Sequence, residues 1–126
     1  MLVSRFAVIP ALSLIAASAG QAQPATPVRV VNLQSYSYSP SPIVLRAGQK
    51  VTLQFVSRSG KGHDFTAERF FRSARILAGR VEDGEVELRP GQVANVTLIP
   101  AAGRYPVHCG HPFHKMLGMR STIIVQ

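Results

Sequence analysis

Cysteine is nearly absent from this sequence, since Cys109 is the single one among 126 residues. A lone cysteine excludes an intramolecular disulfide, so a small domain must be held together by its apolar core or by a metal ion. The thiol itself is then a liability, an intermolecular link or a metal ligand. The residues around Cys109 decide among these three roles.

Acidic residues are also scarce, with 6 against 14 basic residues and a formal net charge of +8. The basic residues are scattered and do not form the dense run of a nucleic-acid-binding arm, so we expect no nucleic-acid partner. A basic surface attracts acidic partner proteins or anionic membrane surfaces over a long range. A general solubility charge explains the excess equally well.

No apolar run is long enough to cross a membrane. The main candidate, residues 6–19, follows Arg5, contains no acidic residue and is interrupted by Pro10. A short apolar stretch behind a positive charge is typical of a secretory signal peptide. An uncleaved N-terminal anchor is the alternative, which the shortness of the run disfavours.

Small residues after this stretch offer cleavage sites behind Ala19 or Ala22. We therefore predict a signal peptide over residues 1–22 and one exported domain, periplasmic or secreted, over residues 23–126. About a hundred residues bury one core but leave no room for a second catalytic module.

Beyond the leader, short apolar stretches alternate with glycine and proline turns, a pattern typical of an all-β protein. Residues 34–42, rich in serine, tyrosine and proline, fit either an edge strand or a turn. The pattern predicts a β-sandwich of about seven strands. These strands are expected near residues 28–33, 43–45, 51–55, 86–88, 93–99, 104–109 and 121–125.

One segment interrupts the strand pattern. Thr66 is a favourable N-cap residue, and Gly79 is suited to end a helix. Between them, three apolar residues have the spacing of a buried helical stripe, namely Phe70, Ala74 and Leu77. The sequence therefore predicts one short inserted helix from Thr66 to about Ala78.

Residues 104–119 concentrate three histidines, two methionines and the single thiol. Strand alternation places Tyr105, Val107 and Cys109 on one face and His108 on the other. Cys109 is therefore expected to point into the sandwich and His108 to point out. The chain then leaves the strand through a loop that can wrap one ion.

A thiolate, a thioether and imidazoles together favour copper, because Cu(I) prefers sulfur and Cu(II) accepts nitrogen. Cys109 and His114 lie in this segment, and His63 is the histidine outside it. Met119 completes the predicted set as a weak axial ligand, with Met116 as the alternative. The competing interpretations are that Cys109 is an inert small hydrophobe, that His63 is a polar loop residue and that Met119 is core packing.

Over its predicted mature length the sequence resembles the blue-copper cupredoxins. The matching motifs are Ala47-Gly48, residues 51–56, His63, Gly103-Arg-Tyr105 with Cys109, His114 and Gly118-Met119. Four residues separate Cys109 from His114 and four separate His114 from Met119, as in the copper loop of the last domain of multicopper oxidases. The resemblance implies a Greek-key sandwich holding one copper ion at one end. It also implies electron transfer through Cys109, with His114 as the entry edge.

Two positions depart from these patterns. Multicopper oxidases have histidines on both sides of the cysteine, whereas here His108 is kept and Gly110 replaces the other. One domain without further His-x-His pairs cannot assemble an oxygen-reducing cluster, so we interpret His108 and His111 as surface or supporting residues. Asp64 stands where the family commonly has an asparagine, and an ionised carboxylate cannot donate that residue's hydrogen bond.

We therefore predict an exported mononuclear type 1 copper protein that mediates one-electron transfer and is not an enzyme. The alternative is a periplasmic copper-binding protein for copper delivery or resistance, with His108, His111 and Met116 as transfer ligands. The expected partner is an acidic redox protein in the first case and a copper-accepting protein in the second. The protein itself is expected to be a monomer.

Overall fold

Two five-stranded sheets pack face to face in the computed structural model, which describes residues 2–3, 7, 9–11 and 13–126. The all-β prediction is confirmed, although the described residues form ten strands and not about seven, together with one short helix. The elements are β1 (Val28–Gln34), β2 (Ser37–Ser39), β3 (Ile43–Leu45), β4 (Val51–Ser57), β5 (His63–Thr66), α1 (Glu68–Ser73), β6 (Arg75–Ala78), β7 (Glu85–Leu88), β8 (Val93–Ile99), β9 (Gly103–His108) and β10 (Arg120–Val125).

The strand order makes the sandwich a Greek key. One sheet has the order β2-β1-β4-β8-β6 and the other has the order β3-β10-β9-β5-β7. Strand β1 pairs in parallel with β4, because between them the chain forms β2 and then crosses to the other sheet for β3. Strand β10 pairs in parallel with β3, which forms the edge of the other sheet. These crossings bring β5 and β9 side by side.

Alternating apolar residues form the core between the sheets. In β4, Val51, Leu53 and Phe55 are buried, as predicted, because successive side chains of a strand point to opposite faces. The Phe55 ring centroid lies 4.7 Å from that of Phe65 in β5. Phe65 also meets Tyr38 of β2 edge to face at 5.4 Å. This packing anchors β5, the strand that begins at His63.

The predicted helix from Thr66 to about Ala78 is wrong at its N-terminal end. Thr66 belongs to β5, and its hydroxyl donates a hydrogen bond to Asp64 Oδ1 at 2.6 Å. Ala67 is the N-cap residue and provides no side-chain hydrogen bond. Threonine is a suitable helix-capping residue, but the Thr66 hydroxyl instead bonds to Asp64, two residues earlier in the same strand.

The predicted helix is also wrong at its C-terminal end. Ala74 is extended, with φ −80° and ψ 154°, and the chain continues as β6, an edge strand paired with β8. Phe70 and Phe71 are buried on α1, whereas Leu77 is 44% exposed and contributes to no buried helical stripe. Backbone pairing with a strand about twenty residues away in sequence decided the structure of residues 75–78.

The first 27 residues contain no helix or strand in their described part. Arg5 and Phe6 of the predicted leader lie outside the described residues. Within the part of the chain that the structure describes, no helix has the length and apolarity needed to cross a bilayer. Residues 34–42 were predicted to form either an edge strand or a turn, and the structure has both: a turn at Tyr36, where φ is 66°, followed by the edge strand β2.

We expect Gly79→Ala to destabilise the protein more than Gly48→Ala. Both glycines have positive φ, 95° and 74°, so both substitutions incur the strain of a left-handed alanine. A Cβ at Gly79 would in addition collide with the Asn95 carbonyl oxygen and lie 2.9 Å from Val96 Cα, whereas a Cβ at Gly48 has no neighbour within 4 Å. The extra loss in the free energy of unfolding, measured by urea denaturation, should be about 1–3 kcal/mol. Equal losses would contradict the tight packing of this turn against β8.

Candidate metal centre

His63 is fully buried at the start of β5, where the loop 58–62 meets the sheet. Its Nε2 atom lies 3.0 Å from the Ser59 hydroxyl oxygen. Its Nδ1 atom lies 3.1 Å from Nδ1 of His114. The Ser59 contact orients the ring so that the other nitrogen points into the site.

Cys109 follows directly after β9 and is buried, with 1% of its surface exposed. The predicted alternation is confirmed, because Tyr105 and Val107 are buried on the same side while His108 is half-buried on the other. The Asp64 backbone amide donates to Cys109 Sγ at 3.5 Å. The Cys109 amide donates to the Met119 carbonyl at 3.1 Å and closes the loop that runs between them.

His114 reaches the site through the hydrogen-bonded turns of the loop 110–118. Its amide donates to the His111 carbonyl at 3.2 Å, and the Met119 amide donates to the His114 carbonyl at 3.0 Å. The His114 Nδ1 atom then lies 3.4 Å from Cys109 Sγ. Tyr36 packs its ring edge to face against His114, with centroids 5.2 Å apart, and so covers the site from the β1–β2 turn.

The structure thus brings three of the four predicted ligand residues together, with one donor atom each from His63, Cys109 and His114 within 4.8 Å of one another. Two Nδ1 atoms at hydrogen-bond distance cannot both carry a proton, so at least one presents a lone pair. Two imidazole nitrogens and one sulfur are the donor set that copper takes. The residues present therefore fit a copper ion.

Burial shifts the pKa values of His63 and Cys109. It lowers the pKa of His63, and the neighbouring charges of His114 and His111 lower it further, so the imidazole is held in its neutral, metal-binding form. Burial raises the pKa of the Cys109 thiol, and the backbone hydrogen bonds from Asp64 and His111 to the sulfur offset part of this rise. A metal ion must therefore displace the thiol proton when it binds.

The two methionines of the loop differ in exposure. Met119 is fully buried between Gly118 and β10, whereas Met116 is 79% exposed. Burial at the end of the ligand loop favours Met119 over Met116 as the axial ligand and is equally expected of a core residue. The axial role of Met119 stays a prediction.

Asp64 makes contacts at the site that its sequence position did not predict. As expected, the carboxylate does not donate the hydrogen bond that an asparagine makes in the family. It still joins the segments that carry His63 and Cys109, because here the side chain of residue 64 is the hydrogen-bond acceptor. The Gly110 amide donates to both Asp64 oxygens, at 2.8 and 3.0 Å, and Asp64 is 3% exposed. A Cβ on residue 110 would lie 3.1 Å from Asp64 Oδ2, so glycine allows this close approach. The sequence signal for this contact is that Asp64 and Gly110 both depart from the family patterns.

His111 lies beside the three donors without joining them. Its ring stacks on that of His114, with centroids 5.3 Å apart. Its Nε2 atom is 2.7 Å from Glu87 Oε1 and 3.8 Å from Asp64 Oδ2. A second close group of candidate ligand atoms consists of Asp64, Cys109 and His111. However, the His111 Nε2 atom is already bonded to the Glu87 carboxylate. The contacts are those of a supporting residue.

A family model described as a cupredoxin-like domain matches residues 6–125 of the chain. The match includes most of the segment predicted to be a signal peptide. No curated protein sequence matches the chain.

Solved structures with this fold include small copper proteins and oxidases. An auracyanin of Roseiflexus castenholzii superposes with a TM-score of 0.59 at 20% identity, over 81% of this chain and 98% of its own. Auracyanin A of Chloroflexus aurantiacus, described as a blue copper protein, gives 0.54 at 18% identity, over 79% and 99%. A multicopper oxidase of Campylobacter jejuni gives 0.61 at 10% identity, over 83% of this chain and 31% of its own. At such identities the likeness shows the shared fold.

Proposed function

Because the chain belongs to the cupredoxin-like family, we propose that it is an exported type 1 copper protein that holds one ion and transfers single electrons. The observation that carries this proposal is the convergence of His63, Cys109 and His114 donor atoms within 4.8 Å at one end of the sandwich. The blue copper description of the similar auracyanin A supports the same assignment.

Each ligand residue has a separate task. His63 and Cys109 are buried at the ends of paired strands, so their positions change little with the charge of the site. His114 is half-buried on the loop and provides the edge through which an electron enters. Bound copper supplies the Cu(I)/Cu(II) couple. Met119 is the proposed axial ligand, because it is buried at the end of the same loop.

The surface around His114 suits an acidic redox partner. Phe113 and Leu117 are 72% and 57% exposed on the ligand loop, and Lys61 and Lys115 lie in the two loops that form this end. All six acidic residues lie between positions 64 and 87, so neither loop contains one. An apolar centre with basic neighbours steers an acidic surface toward His114. We propose that a monomer makes this contact in the periplasm or outside the cell.

Copper delivery is the second candidate function. Met116 is 79% exposed on the same loop as His114, where a soft thioether can take part in passing Cu(I) to another protein. The buried positions of His63 and Cys109 favour retention of the ion over its release. We therefore propose copper delivery as the second candidate and electron transfer as the first.

Cys109→Ser should abolish the intense visible absorption that one equivalent of Cu(II) is expected to produce, because the charge-transfer band requires a thiolate ligand. His108→Gln is the matched control, since His108 lies on the other face of the strand and should leave the band in place. Absorption and electron paramagnetic resonance spectra of residues 23–126 measure both variants. A Cys109→Ser protein that keeps the band would contradict the assignment.

Met119→Leu should keep the visible band and raise the reduction potential, because losing the axial thioether disfavours Cu(II). Met116→Leu should leave the potential unchanged, since this side chain is exposed. A redox titration of both variants against the wild type makes the comparison. The reverse result would assign the axial position to Met116.

Bound copper should exchange slowly with a Cu(I) chelator or a copper-accepting protein if the chain is an electron carrier. Rapid release, slowed by Met116→Leu, would favour delivery. The measurement is the time course of copper transfer after mixing the reduced protein with excess chelator.

A further inference from the structure

Asp64 places a carboxylate next to the thiol of the proposed copper site. The residue is 3% exposed, and one of its carboxylate oxygens lies within 4.8 Å of Cys109 Sγ. It directly follows the proposed ligand His63 along the chain. A charge so close to the site acts through protein and not through bulk water, so its effect on the site is weakly screened.

The hydrogen bonds of the Asp64 side chain are those of an ionised carboxylate. Oδ1 accepts from the Thr66 hydroxyl at 2.6 Å and from the Gly110 amide at 2.8 Å. Oδ2 accepts from the same Gly110 amide at 3.0 Å. All of these partners are donors, and donors to both oxygens stabilise the negative charge.

The backbone of Asp64 is fixed as firmly as its side chain. Its amide donates to Cys109 Sγ at 3.5 Å, and its carbonyl accepts from the Tyr38 hydroxyl at 2.6 Å. Residue 64 is also paired with Glu87 across the β5–β7 ladder. The carboxylate therefore cannot turn away from the site when the charge of the site changes.

We propose that Asp64 is a positioning residue that sets the reduction potential of the site, its fixed negative charge favouring the oxidised ion over the reduced one. This inference rests on the proposed function. Oxidation adds one positive charge next to the carboxylate, and the attraction between them stabilises Cu(II) more than Cu(I). An asparagine at this position would lack that attraction. Asp64 thus makes the protein a weaker oxidant than it would be with a neutral residue.

Asp64→Asn is the direct test, because it removes the charge while keeping an oxygen that can accept from Gly110. In equilibrium with a reference couple at neutral pH, the ratio of oxidised to reduced protein should fall about tenfold, which is 59 mV for a one-electron couple. The matched control is Glu87→Gln, which removes the same charge from a side chain that is 51% exposed. Solvent screens that charge, so the control should shift the ratio much less.

Thr66→Val is a second variant that keeps the carboxylate and the shape of the side chain. It removes the hydroxyl that offsets the Asp64 charge, so the ratio of oxidised to reduced protein should rise. An opposite shift in the two variants supports the proposal even if Asp64→Asn folds less stably. An unchanged ratio in Asp64→Asn, or an equal shift in Glu87→Gln, would overturn it.

The two proposals fail in different ways. A wild-type protein that binds Cu(II) without an intense visible band would contradict electron transfer at a type 1 site. The ratio of Cu(I) to Cu(II) affinities, measured by chelator competition in the wild type and in Asp64→Asn, would then still test the charge. A wild type with the band and an affinity ratio that Asp64→Asn leaves unchanged would contradict the Asp64 inference alone. Absence of copper binding would overturn both.

Discussion

The side-chain and backbone bonds between Asp64 and the Cys109–Gly110 segment hold the candidate metal centre together. Strands β5 and β9 share only the pair Thr66↔His108 among the described residues, so the backbone ladder ends before the site begins. Beyond that pair, the Asp64 amide meets the Cys109 sulfur and the Asp64 carboxylate meets the Gly110 amide. These bonds continue the contact between the two chain segments that carry the imidazole of His63 and the thiol. Without them, the Thr66↔His108 pair would be the backbone pairing left to join these two strands near the site.

The core beneath the site supplies the rigidity that these bonds need. Phe65 lies two residues after His63, is fully buried, and packs against Phe55 of the opposite sheet. Burial of one such side chain contributes about 1.5–3 kcal/mol. The same strand thus has its aromatic residue in the core and its histidine at the end of the sandwich. In a domain without a disulfide, this packing holds the donors close together.

Acidic residues are confined to one part of the chain, whereas basic residues are not. The six acidic residues occupy positions 64–87, in and next to β5, α1 and β7, while basic residues occur throughout the chain. Within the acidic group, Glu85 is the residue whose pKa burial and the charges of Asp64 and Glu87 raise. Asp64 is therefore part of a local negative field inside a basic protein. In our proposals the negative field stabilises the oxidised copper ion, and the basic surface attracts the acidic partner protein.

Strand alternation and ligand chemistry are local properties, so the residue pattern alone predicted the sandwich class, the inward direction of Cys109 and the residue types of the candidate donor set. That residues 75–78 form an edge strand became visible in the folded chain, since their partner β8 lies about twenty residues away. The folded chain likewise showed that Asp64 accepts hydrogen bonds from Gly110 and that His111 contacts Glu87. Each of these contacts joins residues that are distant in the chain, and a local pattern contains no information about which distant group will meet a given side chain.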